Sequence, residues 1–240
     1  MATHGKRRHV SPHAQRFRDL SAGIVTAYAK ALADHPAVIG WQIDNEINGF
    51  DYGPEAQANF HRWLQQEFGS IEALNAAWGL EFWSQDYDNL SQIPLARAEV
   101  GAREIQERHH PSLIMAVARF QNQAWTSFIA DQAAIIREHS SAPISSNMTG
   151  LVGAMDWFAH FGSCDCVGAS MYADRAHYAY NLPRMDRLRS EKNRPFWLLE
   201  TAPNWSAGGR TWNIHMDADG VRLFSWLSTL MGGEMVLYWQ

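Results

Sequence analysis

An α/β protein built on a parallel sheet, in the form of an incomplete (β/α)8 barrel, is the fold this 240-residue sequence predicts, and three observations carry it. Short apolar runs alternate with longer segments of helical period along the whole chain. The runs lack the in-out alternation of a half-solvated sheet, which fits strands covered by helices on both faces. Five such runs occur, whereas a closed barrel of this type needs about eight, so the barrel is expected to lack three strands.

Residues 1–12, with Lys6, Arg7, Arg8 and His9, have no apolar period and read as an arm. His9 and His13 are spaced like helical metal ligands, but Pro12 lies between them and nothing acidic completes a site. From 14 to 34 apolar residues recur about once per helical turn, at Phe17, Leu20, Ile24, Tyr28 and Leu32, until His35-Pro36 ends the helix. After a short turn, residues 38–45 form the first strand, followed by a Gly-rich loop at 48–54 and helices at 55–68 and 70–78. Residues 79–95, with Phe82-Trp83 and Asp86-Tyr87, have no clear period and read as a long aromatic loop of the kind a barrel turns toward substrate.

Residues 97–109 and 111–140 are expected to be helical, Pro111 marking a fresh start. A strand at 143–148 ends in Asn147, and another at 164–171 runs into Tyr172. A helix at 178–190 leads to the strand at 195–201, then a Gly-rich loop at 204–210, a helix at 218–231 and a last strand at 235–239. The chain contains no internal repeat and no low-complexity linker, and reads as one domain over 1–240.

Composition narrows the function. The net charge is −5 and charged residues make up 19% of the chain, which gives no electrostatic reason to expect nucleic acid or an anionic membrane as partner. Eleven tryptophans hint at flat, amphipathic ligands such as sugars, although any one of them can simply fill the core. Cys164 and Cys166 are too close for an ordinary disulfide framework and read as reduced, packed thiols. With no charged-then-apolar leader and no apolar run of spanning length, a cytoplasmic protein is expected. No cofactor is expected.

Two strand ends concentrate the chemistry. The run Val38-Ile39-Gly40-Trp41-Gln42-Ile43 stops in Asp44-Asn45-Glu46, and Phe196-Trp197-Leu198-Leu199 stops in Glu200. In a barrel both would open onto one mouth. Two carboxylates flanking a bond are the minimum for glycoside hydrolysis, one protonating the leaving oxygen and one staying ionised to attack the anomeric carbon. For Asn45 and Glu46 to reach a ligand together, the strand must end or bulge between them, because alternation points neighbours to opposite faces. A lone glutamate after a strand is more often a capping or salt-bridged group; the pairing is what points to catalysis.

Several segments in order, Arg7-Arg8-His9 with Ser11-Pro12, His35-Pro36-Ala37-Val38, Trp41 to Glu46, Leu74-Asn75-Ala76-Ala77-Trp78-Gly79 with Phe82-Trp83-Ser84-Gln85, and Leu199-Glu200, resemble glycoside hydrolase family 42, the beta-galactosidases. The resemblance covers essentially the whole chain. It implies Glu46 as acid/base, Glu200 as nucleophile and Asn45 as partner of the sugar 2-hydroxyl, with Trp83, Tyr172 and Trp205 lining sugar subsites and a terminal beta-galactoside as substrate. Many members hold zinc through a cysteine cluster near the acid/base strand. Residues 50–68 contain no Cys, so no metal is expected.

The resemblance also implies barrel strands four to eight, with strands one to three and the segments beyond strand eight missing. Five open strands leave two unpaired edges, and the surface the absent strands would cover should be apolar. A complementing chain or a second copy could meet those edges, or the chain is a fragment whose own activity is in doubt. A non-catalytic sugar-binding remnant and another barrel glycosidase, such as a beta-glucosidase, stand as alternatives.

Overall fold

The structure of the chain, a computed structural model, describes residues 10–47, 49–96, 109–149, 155–172, 178–206 and 213–239. Most of the helix expected at 97–109 therefore lies outside the described residues. Two compact units divide the chain, residues 1–21 with 49–128 and residues 22–48 with 129–240.

The second unit holds a five-stranded parallel sheet. Its strands are β1 (Trp41–Ile43), β2 (Ile144–Thr149), β3 (Gly168–Ser170), β4 (Phe196–Thr201) and β7 (Gly233–Tyr238), hydrogen-bonded in that spatial order. Every pairing is parallel, as expected from runs without alternation. Phe196, Trp197, Leu198 and Leu199 of β4 are all buried, so both faces of that strand are covered. Two glycines allow the close approach of neighbouring strands: a Cβ on Gly40 would strike the Trp197 ring, and one on Gly168 would strike Leu199 and the Ser146 carbonyl.

Three strand boundaries differ from expectation. β1 is only three residues long, because Asp44 adopts a left-handed φ of 56° that an extended ladder does not accommodate. Residues 164–167 precede β3 rather than extend it. There the Asp165 carboxylate accepts the Ile144 N–H at 2.7 Å and pairs with Arg137, so the segment is anchored by a side chain. The Gly-rich loop opens with β5 (Asn204–Ser206), which pairs antiparallel with β6 (Asn213–His215); residues 207–212 between them lie outside the described residues.

Helices connect the strands. These are α4 (Pro111–Arg137), the single turn α5 (Trp157–His160), α6 (Leu182–Lys192) and α7 (Ala218–Leu230). Asp217 caps α7 by accepting the Gly220 N–H at 2.7 Å, which satisfies one of the orphan donors of a helix start. The helix α1 (Gln15–Leu32) and α4 each contribute residues to both units.

In the first unit, α2 (Pro54–Phe68) and α3 (Ile71–Trp78) bury Phe60, Leu64 and Leu74 with Leu80, Ile93, Leu113 and Phe120. Ser70 caps α3 through the Ala73 N–H, and Gly79 closes it in the left-handed conformation that glycine adopts without strain. The aromatic loop at 79–95 contains 3-10 turns at Leu80–Trp83 and Leu90–Gln92. It is held by Asn75, whose side chain bonds both the carbonyl and the N–H of Tyr87.

Buried titratable groups in the second unit have structural consequences. Cys164 and Cys166 are free and buried, and burial pushes their thiols up to about 12 and about 11, far from reactive thiolate. His160 is fully buried, 3.1 Å from the Ser146 hydroxyl of β2 and edge-on to Trp157 and Phe161. Desolvation lowers its pKa from 6.5 to about 4.

Above pH 6.5 the imidazole is neutral in both folded and unfolded chains, and its contribution is intact. Between pH 6.5 and 4 only the unfolded chain takes the proton, so stability falls as pH falls. The total loss is about 3 kcal/mol once pH drops below 4. Urea midpoints measured across this window should decline toward acid, and His160→Gln should flatten the decline. An unchanged slope in the variant would assign the effect to other groups.

The sheet ends in β1 on one side and β7 on the other. Around β7, Leu237, Tyr238 and Trp239 are exposed, as are Trp226 and Leu230 on α7, at 61% and 79%. On α1, Leu20, Ile24 and Tyr28 recur every fourth residue and are also exposed. Exposed apolar side chains beside an edge strand, as around β7, are features of surfaces that take a partner. Among the described residues no helix is long and apolar enough to cross a membrane.

Candidate active site

The C-terminal ends of the parallel strands gather the polar residues of the second unit. Where β1 ends at Ile43, Asp44 and Glu46 both take left-handed φ values, 56° and 49°. Each costs a non-glycine residue about 1–2 kcal/mol and is held in place by surrounding bonds. Asp44 Oδ1 accepts the Asn45 N–H at 2.6 Å, and the Glu46 N–H donates to the Asn147 carbonyl at 2.9 Å. The strand has thus stopped before Asn45, and strand alternation does not govern where Asn45 and Glu46 point.

Asn147, at the C-terminal half of β2, is buried at 1% exposure. Its Nδ2 donates to Asn45 Oδ1 at 2.7 Å and to Ser170 Oγ at 2.9 Å. Three neighbouring strand ends are therefore tied by side chains: Asn45 after β1, Asn147 on β2 and Ser170 closing β3. Ser170 in turn stands in register with Glu200 on β4.

Glu200 is half-buried, and its carbonyl accepts the Met171 N–H at 2.8 Å. The Tyr172 hydroxyl donates to Glu200 Oε1. A carboxylate with one oxygen engaged in this way keeps its second oxygen for another partner. Beside it, the Trp239 N–H donates to the Thr201 carbonyl at 2.6 Å, so the exposed Trp239 sits at the same end of the sheet.

Of the residues singled out from sequence, Asn45, Glu46, Tyr172 and Glu200 all occur at this edge of the second unit. Trp83 lies in the first unit, 57% exposed and edge-on to the more exposed Phe82. Trp205 lies in β5 opposite Ile214. Sequence reasoning stopped at Asn147 as a strand end and passed over Ser170. The available signal was a short polar residue closing each apolar run. Among the described residues, no three His, Cys, Asp or Glu side chains group as metal ligands.

A parallel α/β sheet whose C-terminal edge carries two glutamates among amide and hydroxyl side chains is the arrangement used by proteins of the barrel-glycosidase class. The sequence profile described as beta-galactosidase, glycoside hydrolase family 42, matches residues 1–240, and the chain belongs to that family. The chain is 33% identical to beta-galactosidase YesZ of Bacillus subtilis (strain 168), over 98% of its own residues and 35% of the relative's. It superposes on the crystal structure of a beta-galactosidase from Rahnella sp. R3 with a TM-score of 0.88, at 26% identity, covering 99% of this chain and 35% of that one. For the beta-galactosidase of the psychrophilic Marinomonas ef1 the TM-score is 0.86 at 27% identity, covering 99% and 39%. The chain therefore spans little more than a third of the length of these relatives.

Proposed function

We propose that the chain is the catalytic portion of a retaining glycosidase acting on terminal beta-D-galactosides. The observation that carries this reading is the position of Glu46 and Glu200 at the same edge of one parallel sheet, after β1 and on β4. Three strand spacings of about 4.8 Å separate β1 from β4 along the sheet, about 14 Å in all. Retention requires sheet curvature and the reach of the two glutamate side chains to bring their carboxyl groups to about 5–5.5 Å.

In the first step a Glu200 oxygen attacks the anomeric carbon, the glycosidic bond breaks, and the leaving oxygen takes the Glu46 proton. In the second step water gives a proton to Glu46 and its oxygen attacks the same carbon, releasing Glu200. The Tyr172 hydroxyl on Oε1 supports this assignment by orienting the attacking carboxylate. Asn45 meets the sugar 2-hydroxyl, and Trp83, Tyr172 and Trp205 contribute to sugar subsites. No metal or other cofactor takes part.

The five strands correspond to strands four to eight of an eight-stranded barrel, in one catalytic domain, and polypeptide supplying three further strand-helix units closes it. Among the described residues β1 and β7 are edge strands, and they and the exposed apolar side chains of β7 and α7 support this reading. Two free, buried cysteines suit the reducing cytoplasm.

The test is a panel of aryl glycosides offered to the chain alone and co-expressed with a polypeptide carrying the three missing units, with the product anomer followed by NMR. Release of beta-galactose from galactosides ahead of glucosides and mannosides is expected. Initial release of the alpha anomer would overturn retention. Galactose binding without turnover in the closed barrel would favour a non-catalytic sugar-binding protein.

A further inference from the structure

Each amide in the network around Asn45 is oriented by the next. The Gln42 side-chain nitrogen lies 2.9 Å from the Asp44 carbonyl, which can only accept, so that atom is the NH2 donor. It also lies 3.4 Å from the Asn45 side chain, and the Asn45 atom facing it is therefore Oδ1. The Asn147 atom 2.7 Å from that same oxygen must then be Nδ2, and its second hydrogen goes to Ser170 Oγ at 2.9 Å. With Oδ1 turned into the network from both sides, the NH2 of the exposed Asn45 is left for the open side of the site. Asn147 Oδ1 is buried without a partner. The constraint on its Nδ2 from Asn45 and Ser170 leaves that oxygen no choice of direction.

We propose that Asn147 is a positioning residue that fixes the side-chain amide of Asn45 with its NH2 outward, so that the site selects a hydrogen-bond acceptor at the sugar 2-position. The inference rests on the galactoside reading above. Asn147→Asp reverses the arrangement. A carboxylate accepts where Nδ2 donated, Ser170 can turn its hydroxyl hydrogen toward it, and Asn45 must rotate to donate inward, presenting its carbonyl oxygen to the ligand.

The experiment compares calorimetric Kd values of the barrel-closed protein for galactose and 2-deoxygalactose. In the unaltered protein galactose should bind about tenfold more tightly, the effect of one well-placed hydrogen bond. Asn45→Ala should erase that preference. Asn147→Asp should lower it, because the 2-hydroxyl then meets a carbonyl and has to donate in a geometry set for accepting, with little effect on 2-deoxygalactose. 2-O-methylgalactose, whose 2-oxygen can only accept, should lose more affinity in this variant than galactose does. If Asn147→Asp weakens both sugars alike while Asn45→Ala erases the preference, the positioning role is overturned and the galactoside reading stands. If Asn45→Ala leaves the preference intact, or neither sugar binds, the galactoside reading of Asn45 fails and the inference falls with it. Should Asn147→Asp not fold, Ser170→Ala removes the second anchor of the same amide and should lower the preference part of the way; an unchanged preference there overturns the proposal.

Discussion

Glu200→Gln should lower kcat on an aryl beta-galactoside by about 10^4-fold or more, since losing a nucleophile removes an entire covalent route. The substitution preserves shape. The Met171 N–H still finds the main-chain carbonyl at position 200, and the Tyr172 hydroxyl can still donate to the amide oxygen. Unfolding midpoints should therefore stay close to those of the unaltered chain, separating lost chemistry from lost fold. Residual turnover within about tenfold of the starting rate, in correctly folded protein, would remove Glu200 from the reaction.

Glu46→Gln should divide substrates by how much help their leaving groups need. A departing alkoxide requires the proton that Glu46 supplies, and its release should slow by about 10^2–10^4-fold. A nitrophenolate leaves unaided, so formation of the glycosyl intermediate should be largely spared. Hydrolysis of that intermediate, which needs a base, should become limiting and produce a burst of nitrophenol. The measurement is the ratio of alkyl to nitrophenyl galactoside rates, read with stopped-flow progress curves. Equal loss on both, without a burst, would show that Glu46 is not the proton donor.

Much of the fold could be read from the residues because runs such as Phe196 to Thr201 are apolar, short and closed by a polar residue. All five main-sheet strands were expected, and α1 to α4, α6 and α7 deviate from expectation by only a few residues. The single turn α5 was not expected, and most of the helix at 97–109 lies outside the described residues. The errors have local causes. Val38 and Ile39 look like strand, but pairing of β1 begins at Trp41, whose N–H donates to the Pro143 carbonyl. The stretch from Cys164 to Val167 is apolar enough to mislead, yet Asp165 anchors it to the start of β2 instead. Asn204 to Ser206 gave no strand signal distinct from the loop around it, since a short antiparallel pair within one loop leaves little trace in three residues.

The candidate site was legible where charge interrupts a hydrophobic run, at Glu46 and Glu200. It was not legible where short polar side chains are buried on strands, since Asn147 and Ser170 acquire meaning only from their neighbours in space. Nor did Tyr172 announce its bond to Glu200, because the two are separated in sequence by α6 and joined only by adjacency of β3 and β4.

The order in which the sheet can assemble follows from the long excursion between β1 and β2. A ribosome makes Trp41 roughly a hundred residues before it makes Ile144, the residue Trp41 stands beside in the finished sheet, so closing this contact carries a large loop entropy. β2, β3, β4 and β7 follow one another at much shorter intervals and can zip together first. The turn bearing Glu46, whose N–H waits for the carbonyl of Asn147, is consequently among the last parts of the site to find its seat.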